Sequence, residues 1–183
     1  MKNFGALKYA AIFSAPIMGL VALTQYGWLT YAVPLYTFAL IPLLELLLPI
    51  SLQNMSATEE AIAKEDIWYD WVLYLMVPVQ YALLVLFFTT TTDPLLTTFE
   101  VVGRVLSMGI ACGAIGINMA HELGHRKNKF DIFTTRLLLL PCLYMHFTME
   151  HNYGHHKNVA TELDPATAKK GQSLYYFWFT SVF

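Results

Sequence analysis

Residues 99–120 read FEVVGRVLSMGIACGAIGINMA, and this stretch decides the fold. It is predominantly apolar and as long as a helix needs to cross the hydrocarbon of a bilayer, roughly 20 residues. Its one basic residue, Arg104, sits near the start. The chain then passes at once into His121-Glu122-Leu123-Gly124-His125. A spanning helix thus delivers metal-ligating side chains to one face of a membrane.

Three further runs of the same kind lie upstream, at about 9–26, 29–50 and 68–89. The second carries Pro34, Pro42, Pro49 and one acid, Glu45, and the third opens with Trp68, Tyr69 and Trp71. Composition agrees: 56% of residues are hydrophobic and 13% charged, with a mean hydropathy of +0.47. A soluble domain carries about 25% charged residues, so one water-soluble core is excluded, as is a disordered chain. The net charge of −2 argues against a nucleic-acid partner. The expected fold is all-α, a polytopic membrane helix bundle forming a single membrane domain. Short connections at Tyr26–Trp28 and Thr89–Pro94 arrange its spans in two hairpins. The first run follows Lys2 and Lys8 and has no clear cleavage site behind it, so it reads as a retained helix rather than a signal peptide. Ile132–Phe147 reads as a short helix lying against the bundle or dipping into the membrane. Leu174–Phe183 begins another apolar segment, as if the chain were an N-terminal fragment.

Lys and Arg in short loops mark the cytoplasmic side. With a cytoplasmic N-terminus and four spans, Lys2, Lys8, Lys64, Arg126, Lys127, Lys129, Arg136, Lys157, Lys169 and Lys170 all fall there, and only Arg104 falls near the outer end. Localisation in a bacterial inner membrane, with the histidine-rich region 121–165 in the cytoplasm, is the expectation.

All six histidines lie between residues 121 and 156. His121 and His125, four apart, share a helix face. In Glu150-His151-Asn152-Tyr153-Gly154-His155-His156, an α-helical reading puts His151 and His155 on one face and His156 about a third of a turn away. His146 precedes them. HELGH also fits the HExxH pattern of zinc proteases, with Glu122 as base. A catalytic zinc, however, takes three protein ligands, and five or six histidines are too many for one. Imidazole suits iron equally, and two metals is the better count.

Asn118-Met-Ala-His-Glu-Leu-Gly-His125 resembles the first histidine box of the integral-membrane alkane monooxygenases. Glu150-His-Asn-Tyr-Gly-His-His156, continued by Val159-Ala-Thr-Glu-Leu-Asp-Pro165, resembles their second box and the loop after it. The resemblance implies a non-haem di-iron enzyme that hydroxylates the terminal carbon of alkanes with O₂. Electrons would come from rubredoxin, reduced in turn by its reductase. It also implies His121, His125, His151, His155 and His156 as iron ligands, with His146 a further candidate. Glu122 and Glu150 are candidates for orienting the imidazoles. A third box of HxxHH type, which the family carries beyond the second, is expected past Phe183. Sister families, the fatty-acid desaturases and xylene-type hydroxylases, share this logic and are the alternative. An intramembrane zinc protease and an inactive metal-binding fragment rank below them.

Other residues have plainer readings. Asp164 before Pro165 reads as a turn or cap. Gly109, Gly113 and Gly116 read as a small-residue packing face rather than a substrate groove. Glu45 and Arg104 are explained by snorkelling to the two membrane surfaces. The run Arg126–Lys129 sets topology, with docking of an acidic electron donor or of headgroups as its alternative use. Cys112 and Cys142 read as buried free thiols.

Overall fold

The structure, a computed structural model, describes residues 10–48, 56, 58 and 67–182. Among them every regular element is helical. Lys2, Lys8 and the linker 51–66, apart from Ser56 and Thr58, lie outside the described residues, as do the last two residues of the expected second span. The chain divides into two units, Met1–Cys142 and Leu143–Phe183.

Among the described residues, the first unit holds five helices. A 3₁₀ turn, Ala10–Phe13, leads into α1, Ser14–Thr24. Then come α2, Gly27–Leu47, α3, Ile67–Thr90, and α4, Thr98–Gly124. The fifth, α5, is Lys129–Leu139. Helices α2, α3 and α4 are each long and apolar enough to cross a membrane, and Ala11–Thr24 is a shorter apolar helix. The second unit holds α6, over residues 147–158, and α7, Leu174–Val182.

Polarity in the first unit is inverted relative to a soluble protein. Thr30, Gln80, Arg104, Ser107 and Asp131 are buried, while Trp28, Phe38, Leu46 and Phe88 face outward. In hydrocarbon no water satisfies a polar group, so each must find a partner inside. The Ser107 hydroxyl accordingly donates to the Thr30 carbonyl at 2.7 Å, and Gln80 Nε2 to the Leu138 carbonyl at 3.3 Å.

One end of the bundle is locked by Glu100 and Arg104. Thr97 and Glu100 form a capping box at the start of α4, which satisfies amide groups that a helix start otherwise orphans. The other Glu100 oxygen accepts the Gly27 N–H at 2.7 Å. Gly27 has a φ of +63°, a left-handed conformation that glycine adopts without penalty, and it turns the chain from α1 into α2. Arg104 is only 2% exposed, which replaces the snorkelling reading. It donates to the Thr90 carbonyl at 2.6 Å and to the Gln25 carbonyl at 3.1 Å. Those groups close α3 and α1, where the helix dipoles present negative charge. The Tyr26 ring lies 5.6 Å from the guanidinium carbon, a cation–π distance.

The glycines of α4 divide. A methyl group on Gly103 would run into the Thr30 hydroxyl and the Tyr31 ring. One on Gly116 would lie 2.6 Å from Cys142 Sγ and 3.0 Å from the Leu138 carbonyl. Gly109 and Gly113 have nothing within 4 Å of that position. The expected packing face is therefore made by Gly103 and Gly116, and the GxxxG pair itself packs against nothing in the described residues.

Helix α5 lies against the bundle, as expected of the first half of Ile132–Phe147. Asn128 caps its start by accepting the Phe130 N–H at 3.0 Å, and Tyr81 donates to its Leu137 carbonyl at 3.1 Å. It stops at Leu139, ahead of Pro141, where a ring without an N–H ends the ladder. Wide π turns interrupt α2 at Tyr36–Leu40 and α4 at Cys112–Ile117. The first precedes Pro42, whose ring collides with the carbonyl four residues back.

Candidate metal centre

The first histidine pair closes α4. Buried Ala120 and Leu123 seat the last turn of this helix, and His121 and His125 project from one face, as their spacing requires. Their Nε2 atoms lie 3.1 Å apart, with the rings edge to face. Arg126, the next residue, fixes where the turn sits. Its guanidinium lies 2.6 Å from Asp70 on α3, 3.9 Å from Asp131 on α5 and 3.8 Å from Glu122. Asp131 is itself buried and accepts the Tyr74 hydroxyl at 2.5 Å. Arg126 is thus an internal tie, and within the basic run Lys127 and Lys129 are the exposed charges. Glu122 faces Arg126 in this arrangement.

The second group differs from its α-helical expectation. Residues Glu150–His155 form a wide π turn, in which hydrogen bonds run from i to i+5. That change of period brings His151 and His156, five apart, together: their Nε2 atoms are 2.9 Å from each other. The ring of His155 stacks beside that of His151, centroids 5.4 Å apart, but its Nδ1 points elsewhere, to Asp164 Oδ2 at 2.8 Å. Phe147 stacks on the other side of His151 at 5.1 Å.

Asp164, read from the sequence as a turn or cap, also meets a histidine of the box. Its side chain is 1% exposed, and the loop after the box is folded around it. Asp164 accepts from the Thr167 hydroxyl and, at 3.1 Å, from the Ala166 N–H. The Thr167 hydroxyl foremost, then the Ala166 N–H and His155, hold its carboxyl below the usual aspartate range. A carboxylate on Nδ1 makes that nitrogen the protonated one and leaves Nε2 with its lone pair. The signal available was an acid nine residues after His155 in the long matching stretch Val159–Pro165.

His146 and Glu150 pair with each other. His146 Nε2 is 3.6 Å from Glu150 Oε1, the Tyr144 hydroxyl donates to Glu150 Oε2 at 3.2 Å, and the Tyr144 ring packs edge to face on His146. The Glu150 carboxylate thus faces His146 and Tyr144.

The donor sets fit a metal. Two imidazole nitrogens about 2.1 Å from one ion and at right angles are about 3 Å apart, the spacing found within each pair. All-nitrogen donors suit iron, zinc or copper, and not calcium or magnesium.

The fatty acid desaturase family model matches residues 97–183, which include both histidine groups and the Asp164 loop. Alkane 1-monooxygenase 1 of Alcanivorax borkumensis is 36% identical over 166 residues, covering 90% of this chain and 41% of the relative. Alkane 1-monooxygenase of Pseudomonas putida is 34% identical over 168 residues, again 90% of this chain and 41% of the relative. That of Ectopseudomonas oleovorans is 36% identical over 180 residues, 93% of this chain and 44% of the relative. The chain is thus similar to alkane 1-monooxygenases over most of its length, and its second half is similar to the fatty acid desaturases. It spans about two fifths of the length of these relatives. The inverted polarity of the first unit and its three helices long and apolar enough to cross a membrane are those of a membrane protein.

Proposed function

We propose that this chain supplies part of a non-haem di-iron centre that hydroxylates the terminal carbon of alkanes, with O₂ as oxidant and rubredoxin as electron donor. The observation that carries the reading is the spacing of the Nε2 atoms, 3.1 Å in the first pair and 2.9 Å in the second, in a chain similar to alkane 1-monooxygenases over nine tenths of its length.

In this reading His121, His125, His151 and His156 hold metal through Nε2. His155 joins them, its Nε2 freed by the Asp164 contact, and His146 stands as a further candidate beside Glu150. Two bound irons supply the O₂ activation needed to insert one oxygen atom into an unactivated C–H bond and release the other as water. The chain's own side chains hold the imidazoles in place. Arg126, tied to Asp70 and Asp131, fixes the turn that carries the first pair, and Asp164 fixes the tautomer of His155. An alkane offers no polar handle, so it is selected by apolar surface and enters from the lipid. Location in a bacterial inner membrane, with both boxes on the cytoplasmic side, rests on the Lys and Arg distribution, and it puts the site where rubredoxin and its reductase can deliver electrons.

The test is the source gene expressed in full, in membranes supplied with rubredoxin, its reductase and a medium-chain alkane. Iron approaching two per chain and a 1-alkanol product are expected, and His121→Ala or His151→Ala removes both. Zinc at one per chain with peptide cleavage would overturn the reading. A desaturated acyl product or a hydroxylated methylarene, with no alkanol, would move the chain to a sister family.

A further inference from the structure

Cys112 and Cys142 have no part in the centre described above, yet the fold brings them together. Cys112 opens the wide turn of α4, and Cys142 lies just beyond the end of α5, 30 residues later. Cys142 Sγ donates to the Cys112 carbonyl at 3.3 Å and to the Leu138 carbonyl at 3.4 Å, which sets its sulfur against the backbone of Cys112. Both are free and only partly buried.

The surroundings make room for this contact. Gly116, one turn past Cys112, has no side chain where one would meet Cys142 Sγ at 2.6 Å. Gln80 of α3, 1% exposed, sets Nε2 at 3.5 Å from the same sulfur and leaves its Oε1 without a partner. The site is therefore a polar spot among apolar helices, with the Cys142 sulfur beside Cys112 and a buried amide oxygen not yet used.

We propose that Cys112 and Cys142 are a redox-closable pair, joined into an intramolecular disulfide by a peroxide. One thiol takes an oxygen atom from hydrogen peroxide to give a sulfenic acid and water. The other thiol's sulfur attacks it, forming the S–S bond and releasing a second water. In sum two thiols lose two protons and two electrons, and one peroxide becomes two waters. A thiol adjacent to the one first oxidised is the arrangement in which that intermediate is captured rather than oxidised further. The bridge ties α4 to the end of α5 and encloses the turn bearing His121 and His125 in the loop it closes. Such a cross-link restricts the unfolded chain more than the folded one, so the oxidised form gains thermal stability.

The experiment uses the chain in its membranes or in detergent, treated with hydrogen peroxide and then alkylated under denaturing conditions. Titratable thiols are expected to fall from two to none, with a loss of about 2 Da. A non-reducing peptide map should link the Cys112 and Cys142 peptides within one chain, and dithiothreitol should restore both thiols. Gly116→Ala should slow closure, because its methyl group displaces the Cys142 sulfur. Two thiols that persist, a gain of about 32 Da from sulfinic acid, or a link between two chains would each overturn the proposal. The result does not depend on iron content or on alkane turnover, so it stands or falls separately from the proposed function.

Discussion

Asp164 shows how much one side chain can decide. By sequence it is an acid before a proline, and a turn is a sufficient account of it. In the fold it is buried against His155 Nδ1, with Thr167 and Ala166 as further donors. Removing such an outer carboxylate costs about 10–100-fold in metal affinity. Asp164→Asn is expected to show a loss of that size in a ferrous-iron or cobalt titration, with helix content unchanged by circular dichroism. The glycines of α4 make the same point. Small residues at 103, 109, 113 and 116 look alike in the sequence, because nothing in it says which one a neighbour approaches. The structure separates them by what a methyl group would meet. Gly103→Ala and Gly116→Ala should each cost about 1–3 kcal/mol through overpacking. Gly109→Ala and Gly113→Ala should be neutral or stabilising by up to about 1 kcal/mol. Thermal unfolding of the four variants in one detergent would separate the pairs.

At the level of elements, helices and their faces were legible wherever the backbone kept 3.6 residues per turn. The His121–His125 pair is the clearest case: the spacing alone predicts the contact that is found. The second box departed because its turn is wide, so the partner of His151 is His156 rather than His155. Hydrophobic periodicity carries no signature of a single i→i+5 turn, and neither His155 nor its partner Asp164 reveals one. Arg104 was illegible for another reason. Its partners are carbonyls at the ends of α1 and α3, and backbone groups do not appear in a sequence as candidates. Hydrogen bonds from a charged donor contribute about 1.5–3 kcal/mol each. Arg104→Met should therefore lower stability by about 3 kcal/mol or more, and Arg104→Lys should recover part of the loss. The same end of the bundle carries an acid dependence. Asp93 is held below the ordinary aspartate range by the Leu95 N–H first and the Tyr26 hydroxyl next. A carboxyl depressed in the folded state adds stability above its unfolded pKa of about 3.9, and that stability is lost as pH falls through the lower folded value. Unfolding midpoints measured from about pH 6 down to about pH 3 should fall more steeply for the parent than for Asp93→Asn.

For the molecule as a whole, composition was the most informative feature of the sequence. Sparse charge and long apolar runs imply a bundle whose surface is oily and whose interior carries the polar groups. The first unit has that arrangement, with Thr30, Gln80 and Arg104 inside and Phe38, Leu46 and Phe88 outside. A bundle built this way cannot count on the hydrophobic effect between its helices, since lipid is as apolar as leucine. It is held by internal hydrogen bonds, by close approach at Gly103 and Gly116, and, on the function proposed here, by metal bound to histidines at helix ends. A ligand that binds only the folded state stabilises it by about 2.7 kcal/mol at a hundredfold excess over its dissociation constant. Stripping metal from the full-length protein with a chelator should therefore lower the unfolding midpoint, and ferrous iron should restore it. His121→Ala should start at the lower midpoint and respond little to either treatment, because the ligand that couples metal to the end of α4 is gone. A parent protein whose midpoint ignores the chelator while its iron is shown to leave would mean that the pairs are set by packing alone. The contacts of Arg126 with Asp70 and Asp131 would then be what holds the first of them in place.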